Sequence, residues 1–367
     1  MNKKRNILFL LHLPPPVHGS SIIGQSIRSS TLINNTFDCR YINLLVSRTI
    51  NDTGKTSILK IFRFIEVWFA LLMEIIRKKP DVCYLAITAT GAAFYKDVLL
   101  IAMLRFFRIK RVYHMHNKGV SQHQKKKINE ILYHFVFSNA EIILLSNKMY
   151  VDIETFVPPS RVHICPNGIK DIASNVNHRI LSTDKLVKIL FLSNLIESKG
   201  VIILLEACSI LKKKGINFEC NFVGAEGDLN AEQFNKKVSD LGIEKQVKYL
   251  GKKYGEEKQK IYEDSDIFAF PTYYKNETFG LVNLEAMQYS LPVISTYEGG
   301  IPDIIDENIT GFLVPQHNEK ALAEKLEVLI TNPALCQKMG NAARQKFEKE
   351  YTLNIFEHRL IEILEII

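Results

Sequence analysis

The sequence lacks any run of uncharged apolar residues long enough to cross a membrane. Its most apolar later segment, Ile61 to Ile76, contains Arg63, Glu66 and Glu74, whereas a spanning helix needs about 18 uncharged residues. The earlier apolar run from Ile7 to Leu13 stops at three prolines, so it predicts a first buried strand and not a signal peptide. We therefore expect a cytoplasmic protein without a transmembrane helix.

Cysteine is sparse, and the spacing of the cysteines indicates neither a redox pair nor a metal site. The six cysteines are scattered, with no C-x-x-C pair and no histidine at metal-ligand spacing. They predict small buried side chains in a reducing compartment. We also assign no acidic or histidine motif to a metal, so we expect neither disulfides nor a metal nor another cofactor. The cysteines are Cys39, Cys83, Cys165, Cys208, Cys220 and Cys336.

Size and composition indicate a globular protein of two domains. The chain has 367 residues, of which 47% are apolar and 23% are charged. One domain is expected for about every 150 residues, and this composition supports packed cores and not disorder.

Charge divides the chain into two unlike halves. Residues 1–180 hold 25 Lys and Arg against 11 Asp and Glu, a net charge of +14, whereas residues 181–367 hold 22 against 28, a net charge of −6. A basic half suits nucleic acid, anionic lipid or an acidic small molecule. We therefore expect different partners for the two halves.

One segment of the basic half has the pattern of a helix that lies on a membrane surface. Apolar and aromatic residues between Ile58 and Leu72 recur at helical spacing, and Lys55, Lys60, Arg63 and Arg77 flank them. The alternative is a helix that faces the core with a solvated basic side.

Short β-branched runs alternate with segments of helical period along the whole chain, which predicts α/β domains with parallel sheets. The polar stretch from Pro166 to Ser182 breaks the alternation and predicts an interdomain connection. Ligands of such sheets bind beyond the carboxyl ends of the strands. The predicted strands are Asn6–Leu13, Asp38–Leu44, Val82–Ala86, Arg111–His116, Glu141–Leu145, Val162–Ile164, Val187–Ser193, Asn217–Val223, Val247–Leu250, Ile267–Phe270 and Pro292–Thr296.

The loop after the strand ending at Phe270 predicts an anion site beside two acids. Glu277 lies in this loop, and Glu285 lies eight residues later in the following helix. The free amides of Phe279 to Leu281 and the helix dipole favour a phosphate, so Glu277 would address neutral sugar hydroxyls and Glu285 the two hydroxyls of a ribose. The alternative is a helix cap at Glu277 and a solvated Glu285.

Three further loops leave the same predicted sheet edge. They contain Ser198-Lys199-Gly200, Gly224 and Glu298-Gly299-Gly300-Ile301-Pro302-Asp303. Lys199 is placed to meet a diphosphate as a point charge, although a surface lysine is the alternative.

In order and spacing, these motifs resemble those of the retaining glycosyltransferases of the GT-B fold, in their large family 4. The resemblance covers nearly the whole chain and includes Pro14 to Gly19, His114 to Asn117 and Pro166 to Ile169. It implies two Rossmann-like, doubly wound α/β domains that face across a cleft. We place them at residues 1–175 and 185–350, with a final helix at 351–367 that packs back on the first domain.

The resemblance also implies roles for particular residues. Catalysis would involve His116, Glu277 and Lys199, with His116 preferred to His114 as a partner of the sugar or of the developing charge. The family often has an arginine where this chain has Asn194, so the diphosphate would have one cation fewer. The donor-binding set is Gly19, Asn194, Lys199, Gly224, Glu277, Thr278, Phe279, Gly280, Leu281 and Glu285.

The function implied is transfer of a sugar from a nucleotide-diphosphate sugar to a polysaccharide or lipid-linked glycan, with retention and without metal. No residue is an obvious covalent nucleophile, which agrees with front-face displacement. The acidic half would hold the donor, and the basic half the acceptor and an anionic membrane surface on the inner face of the cytoplasmic membrane.

Several alternatives are weighed against this function. One is a sugar-nucleotide epimerase of the same fold, and another is a non-catalytic two-lobed protein that binds sugar nucleotides. Nucleic acid is not expected, because no known binding module is recognised. The stretch Gly54 to Ser57 is similar to the end of a phosphate-binding loop, but Thr49 stands where its first glycine belongs.

Overall fold

The structure is a computed structural model that describes residues 4–15, 17–44, 58–173 and 186–367. Its contacts divide the chain into two compact units. Unit 1 comprises the residues up to Gly168 together with Leu353–Ile367, and unit 2 comprises Ile169–Thr352. Lys55, the Gly54 to Ser57 stretch and much of the predicted connection lie outside the described residues.

Unit 1 contains a parallel sheet of six strands in the order β2-β1-β3-β4-β5-β6. Its strands are β1 (Asn6–Leu11), β2 (Asp38–Asn43), β3 (Val82–Leu85), β4 (Lys110–Met115), β5 (Ala140–Leu144) and β6 (Val162–Ile164). Its helices are α1 (Gly19–Ser29), α2 (Thr31–Thr36), α3 (Ile58–Arg77), α4 (Gly91–Phe106), α5 (Val120–His123) and α6 (Lys127–Phe137).

Unit 2 contains a second parallel sheet of six strands in the order β12-β11-β10-β7-β8-β9. Its strands are β7 (Val187–Leu192), β8 (Phe218–Val223), β9 (Val247–Tyr249), β10 (Ile267–Phe270), β11 (Val293–Thr296) and β12 (Gly311–Val314). Its helices are α7 (Val201–Lys213), α8 (Ala231–Asp240), α9 (Gly255–Glu263), α10 (Leu281–Gln288), α11 (Ile301–Ile304), α12 (Glu319–Thr331) and α13 (Pro333–Glu350).

The prediction of two doubly wound α/β sheets is confirmed. The central strands β1, β3 and β10 are buried along their whole length, as expected for parallel strands that helices cover on both faces. In unit 2 the chain order reverses between β7 and β10, and in unit 1 it reverses between β1 and β3. At such a reversal a crevice forms outside the carboxyl ends of the strands, and ligands of these folds bind there.

The sequence analysis missed one strand, β12. It is only four residues long and begins with Gly311, a residue that more often marks a turn. A Cβ on Gly311 would lie 1.9 Å from the carbonyl oxygen of Val293 on β11. The glycine is therefore required by close backbone approach and does not end the element.

The helices begin where local capping predicts. Asn230 and Gln233 form a reciprocal capping box at the start of α8. The side chains of Asn318 and Asn332 accept amide hydrogen bonds at the starts of α12 and α13, and Pro333 occupies the first position of α13.

The last helix, α14 (Leu353–Ile366), packs into the core of unit 1. Phe356, Leu360 and Leu364 are fully buried in one apolar cluster with Ile7 and Phe9 of β1. Among the described helices, none has both the length and the low charge needed to cross a membrane.

Candidate active site

Two charged side chains meet where the chain order of the unit 2 sheet reverses. Lys199 follows β7 and Glu277 follows β10, which are neighbouring strands. The Nζ of Lys199 donates to Oε2 of Glu277 at 2.5 Å, and the two side chains are only 16% and 13% exposed. Lys199 also lies 4.4 Å from the ring centroid of Tyr274. Because removal of one partner leaves the other charge poorly solvated, the pair fixes both groups.

Glycines bring the loops around this pair into backbone contact. Gly200 has φ of +93°, and a Cβ there would lie 2.3 Å from the carbonyl oxygen of Pro271. Gly299 has φ of +55°, and a Cβ there would lie 2.4 Å from the carbonyl oxygen of Glu277. Since only glycine tolerates both the positive φ and the close approach, the sequence positions the loops after β7, β10 and β11 against one another.

The start of α10 lies directly beyond Glu277. Gly280 caps this helix in the left-handed region, with φ of 72°, and the chain before it is bonded to the next loop by the amide of Gly300, which donates to the carbonyl of Thr278. The first amides of a helix have no intrahelical acceptor. Together with the helix dipole they favour an anion, and the structure brings this helix start beside the Lys199–Glu277 pair.

Glu285 lies within α10 and contacts α9 through two side chains. Its Oε1 accepts from Nζ of Lys258 at 2.7 Å, and its Oε2 accepts from the hydroxyl of Tyr262 at 2.8 Å. The carboxylate is therefore held in a defined orientation, which contrasts with the solvated helix residue considered as the alternative.

Asn194 and Gly224 join the loops that follow β7 and β8. The side-chain oxygen of Asn194 accepts from the amide of Ala225 at 3.3 Å. A Cβ on Gly224 would lie 1.9 Å from the carbonyl oxygen of Ser193. In the structure, both residues therefore connect loops at the same sheet edge as Lys199.

In unit 1, the predicted histidines lie together at the end of β4. The rings of His114 and His116 are 4.2 Å apart between centroids. His114 is fully buried, forms a hydrogen bond with the hydroxyl of Tyr84 at 2.5 Å and lies against Phe356. These contacts indicate that His114 stabilises the fold of unit 1. Burial lowers the pKa of His114 to about 3 and holds the pKa of His116 well below its usual value.

Two further histidines accompany His116, and the sequence analysis did not identify them. His12 follows β1, and His18 caps α1, the helix that begins at Gly19. The rings of His12 and His18 are 6.1 Å apart between centroids. Burial, with smaller effects from His18, His116 and Lys96, lowers the pKa of His12 to about 3. The predicted strand Asn6–Leu13 included His12, and the signal that could have singled it out was a polar residue near the carboxyl end of a largely apolar strand.

The sequence analysis also missed Tyr274, Lys258 and Tyr262. Lys258 and Tyr262 are four residues apart on α9, so both lie on one side of that helix. That spacing was visible in the sequence, but nothing in it linked this side of α9 to Glu285.

Among the described residues of unit 2, an acidic triplet lies away from this edge. The triplet Asp264-Ser265-Asp266 lies before β10, at the opposite end of the strand, where the carboxylate of Asp266 accepts from the amide of Lys188 at 2.8 Å. Within the described residues, no group of three His, Cys, Asp or Glu is arranged to hold a metal ion.

Comparisons with known proteins agree with this fold. The model of the family described as "Glycosyl transferases group 1" matches residues 175–346. The amylovoran biosynthesis glycosyltransferase AmsK of Erwinia amylovora is 31% identical over 268 residues, 71% of this chain and 65% of that protein. The capsular polysaccharide biosynthesis glycosyltransferase CapM of Staphylococcus aureus is 27% identical over 183 residues, 50% of this chain and 46% of that protein.

The aligned part of this chain thus spans 65% of AmsK and 46% of CapM. Among solved structures, Anabaena HepE in complex with UDP is similar with a TM-score of 0.75 at 17% identity, over 99% of this chain and 100% of that chain. This likeness shows the fold, and the expected GT-B architecture is confirmed.

Proposed function

We propose that the protein is a retaining, family 4 glycosyltransferase that transfers a hexose from a nucleotide-diphosphate sugar to a glycan or lipid-linked acceptor in polysaccharide synthesis. The observation that carries this proposal is the Lys199–Glu277 pair beside the start of α10. A cation, free helix amides and a carboxylate suit a ligand with a diphosphate next to neutral hydroxyls. The relatives AmsK and CapM act in polysaccharide biosynthesis, and HepE binds UDP.

In this proposal, each predicted residue has a distinct role. Lys199 and the amides of Phe279 to Leu281 hold the diphosphate, Glu277 accepts from the sugar hydroxyls and Glu285 accepts from the ribose. His116 keeps the role that the family pattern gives it, as a partner of the sugar or of the developing charge. Gly19, Asn194, Gly224 and Thr278 complete the donor-binding set.

The proposed reaction depends on how the two substrates are positioned and uses no nucleophile from the protein. The bond between the anomeric carbon and the diphosphate oxygen breaks, and the bond to the acceptor oxygen forms on the same face of the sugar. The departing diphosphate takes the acceptor proton, and we propose no metal for the step. Lys199 and the helix amides stabilise the negative charge that develops on the diphosphate, while Glu277 orients the sugar.

A thermal-shift panel of nucleoside diphosphates and sugar nucleotides tests the function. A ligand at 100 times its Kd should stabilise the protein by about 2.7 kcal/mol. Glu285→Ala should abolish the shift, whereas Glu256→Ala, on the exposed side of α9, should retain it. If no activated sugar binds at millimolar concentration, the proposed function is wrong. If a donor binds and is consumed equally with and without acceptors, the epimerase alternative is favoured instead.

We also propose that unit 1 contacts an anionic membrane that carries the acceptor. Its sequence contributes most of the +14 charge of residues 1–180. In α3, Ile61, Phe62, Phe69 and Met73 are more than half exposed, while Leu71 and Ile75 face the core. Exposed aromatic and apolar side chains beside basic ones suit a membrane surface better than solvent.

Sedimentation with liposomes tests this contact. The protein should sediment with vesicles that contain phosphatidylglycerol and less with pure phosphatidylcholine, and salt should weaken the binding because it screens exposed charges. Equal sedimentation with both kinds of vesicle would refute the contact.

A further inference from the structure

The carboxylate of Glu285 is held by a buried tyrosine on the neighbouring helix. We propose that Tyr262, with Lys258, positions Glu285 to accept both hydroxyls of a ribose and so makes the site selective for ribonucleotides over 2′-deoxyribonucleotides. This inference rests on the proposed function, since it concerns the ribose of the donor. Tyr262 is a positioning residue in it and touches no ligand.

The contacts leave Glu285 with capacity for a diol. A carboxylate has two oxygens with about four lone-pair sites. The Tyr262 hydroxyl donates to Oε2 at 2.8 Å, and the Lys258 ammonium lies 2.7 Å from each of the two oxygens. Even with the ammonium shared between both oxygens, the carboxylate keeps the capacity to accept from ribose hydroxyls.

The position of Tyr262 is fixed by packing. Its side chain is 2% exposed, and its ring stacks on that of Tyr289 with centroids 5.2 Å apart and an interplanar angle of 2°. Burial, and then the neighbouring Glu285, raise the pKa of Tyr262 well above its usual value. The hydroxyl therefore stays protonated and donates to the carboxylate at any physiological pH.

Lys258 adds charge compensation from a more exposed position. Its side chain is 28% exposed, and its ammonium lies 6.0 Å from the centroid of the Tyr262 ring. Charge-assisted hydrogen bonds are stronger than neutral ones, so the pair of donors holds the carboxylate more firmly than either alone.

The stack offers a matched control. Tyr289 is 6% exposed, and within the described residues its hydroxyl has no hydrogen-bond partner. Tyr262→Phe and Tyr289→Phe each remove one buried hydroxyl from the same stacked pair. Only the first change removes a hydrogen bond to Glu285.

The experiment measures Kd by calorimetric titration for UDP and 2′-deoxy-UDP, with the ADP and GDP pairs alongside, in wild type and both variants. Tyr262→Phe should lower the preference for the ribonucleotide by about fivefold, because one hydrogen bond to the carboxylate is lost. Tyr289→Phe should leave that preference unchanged. The ratio of the two Kd values reports the ribose contact, so a general loss of stability does not move it.

The outcomes separate this inference from the proposed function. If wild type binds none of the three diphosphates, the proposed function fails and the inference fails with it. If wild type prefers the ribonucleotide and Tyr262→Phe keeps that preference, or if Tyr289→Phe lowers it equally, the inference alone is wrong. Should Tyr262→Phe not fold, Lys258→Met tests the same ratio from its more exposed position and should lower it as well.

Discussion

The carboxyl edges of the two sheets follow the same doubly wound plan but have opposite chemistry. In unit 2 the edge holds ionic side chains that are already paired, Lys199 with Glu277 and Lys258 with Glu285. In unit 1 the corresponding edge holds His12, His18 and His116, whose pKa values are all lowered. The charged edge of unit 2 therefore keeps ionic side chains, whereas the histidines at the edge of unit 1 stay neutral.

The difference shows how one architecture supports two kinds of binding. Partly buried ions need partners, because desolvation is otherwise too costly, and the unit 2 loops supply those partners through close backbone contacts at Gly200 and Gly299. Buried imidazoles near one another lose their protons instead. The fold therefore supplies the edge, and the loop residues decide whether it suits an anion or a neutral group.

The largest effect should come from removing one charge at the edge of unit 2. Glu277→Gln keeps the shape of the side chain but removes the charge that faces Lys199 and the proposed sugar hydroxyls. We expect kcat to fall by roughly 10²- to 10³-fold, the loss typical of one electrostatic contact in a preorganised site. Steady-state release of nucleoside diphosphate from the sugar nucleotide measures it.

The matched control for this change is Glu256→Gln, which alters an exposed carboxylate on α9. Its kcat should equal that of wild type. A Glu277→Gln enzyme that turns over within about twofold of wild type, well inside the loss expected for one such contact, would show that the pair is structural only.

A smaller effect should come from titrating His114, which lies beside His116 of the unit 1 edge. The pKa of His114 falls from about 6.5 in the unfolded chain to about 3 in the fold, so the unfolded state binds a proton that the folded state does not. Stability should therefore fall as pH drops below about 6.5, and His114 alone should cost about 2 kcal/mol between pH 7 and pH 5. His114→Phe should remove that part of the loss.

Urea unfolding at pH 7 and pH 5 measures this effect. Trp68 is the single tryptophan and lies on α3, so its fluorescence reports unit 1. His123→Phe makes the same substitution at an exposed histidine and serves as the control for it. An equal loss of stability in wild type and His114→Phe would mean that His114 does not titrate as its burial implies.

The sequence was sufficient for most of the fold, because buried parallel strands are continuous apolar runs separated by helical periods. Every predicted strand is present, with ends that differ by at most two residues. The missed strand, β12, is the case in which one glycine serves close strand packing and not a turn.

The site was predictable only where residues follow strands. Lys199 and Glu277 each lie just after a strand, and adjacent strands bring them together. Tyr262 and Lys258 belong to the side of a helix, and their contact with Glu285 depends on how α9 packs beside α10. The exposure of α3 was equally hidden, since an apolar helical stripe does not reveal what covers it.

The smallest predicted effect concerns the exposed aromatic side chains of α3. Phe62→Ser with Phe69→Ser removes two exposed rings from α3, which are 60% and 55% exposed, and should weaken partition to anionic vesicles by about tenfold, since each ring buries only part of its surface in the membrane. Ile309→Ser with Val328→Ser removes exposed apolar side chains of unit 2 and should leave the partition unchanged. Because neither pair alters net charge, a difference between them isolates the apolar contact of α3. Equal partition of the two double variants would leave charge alone as the basis of any binding to vesicles.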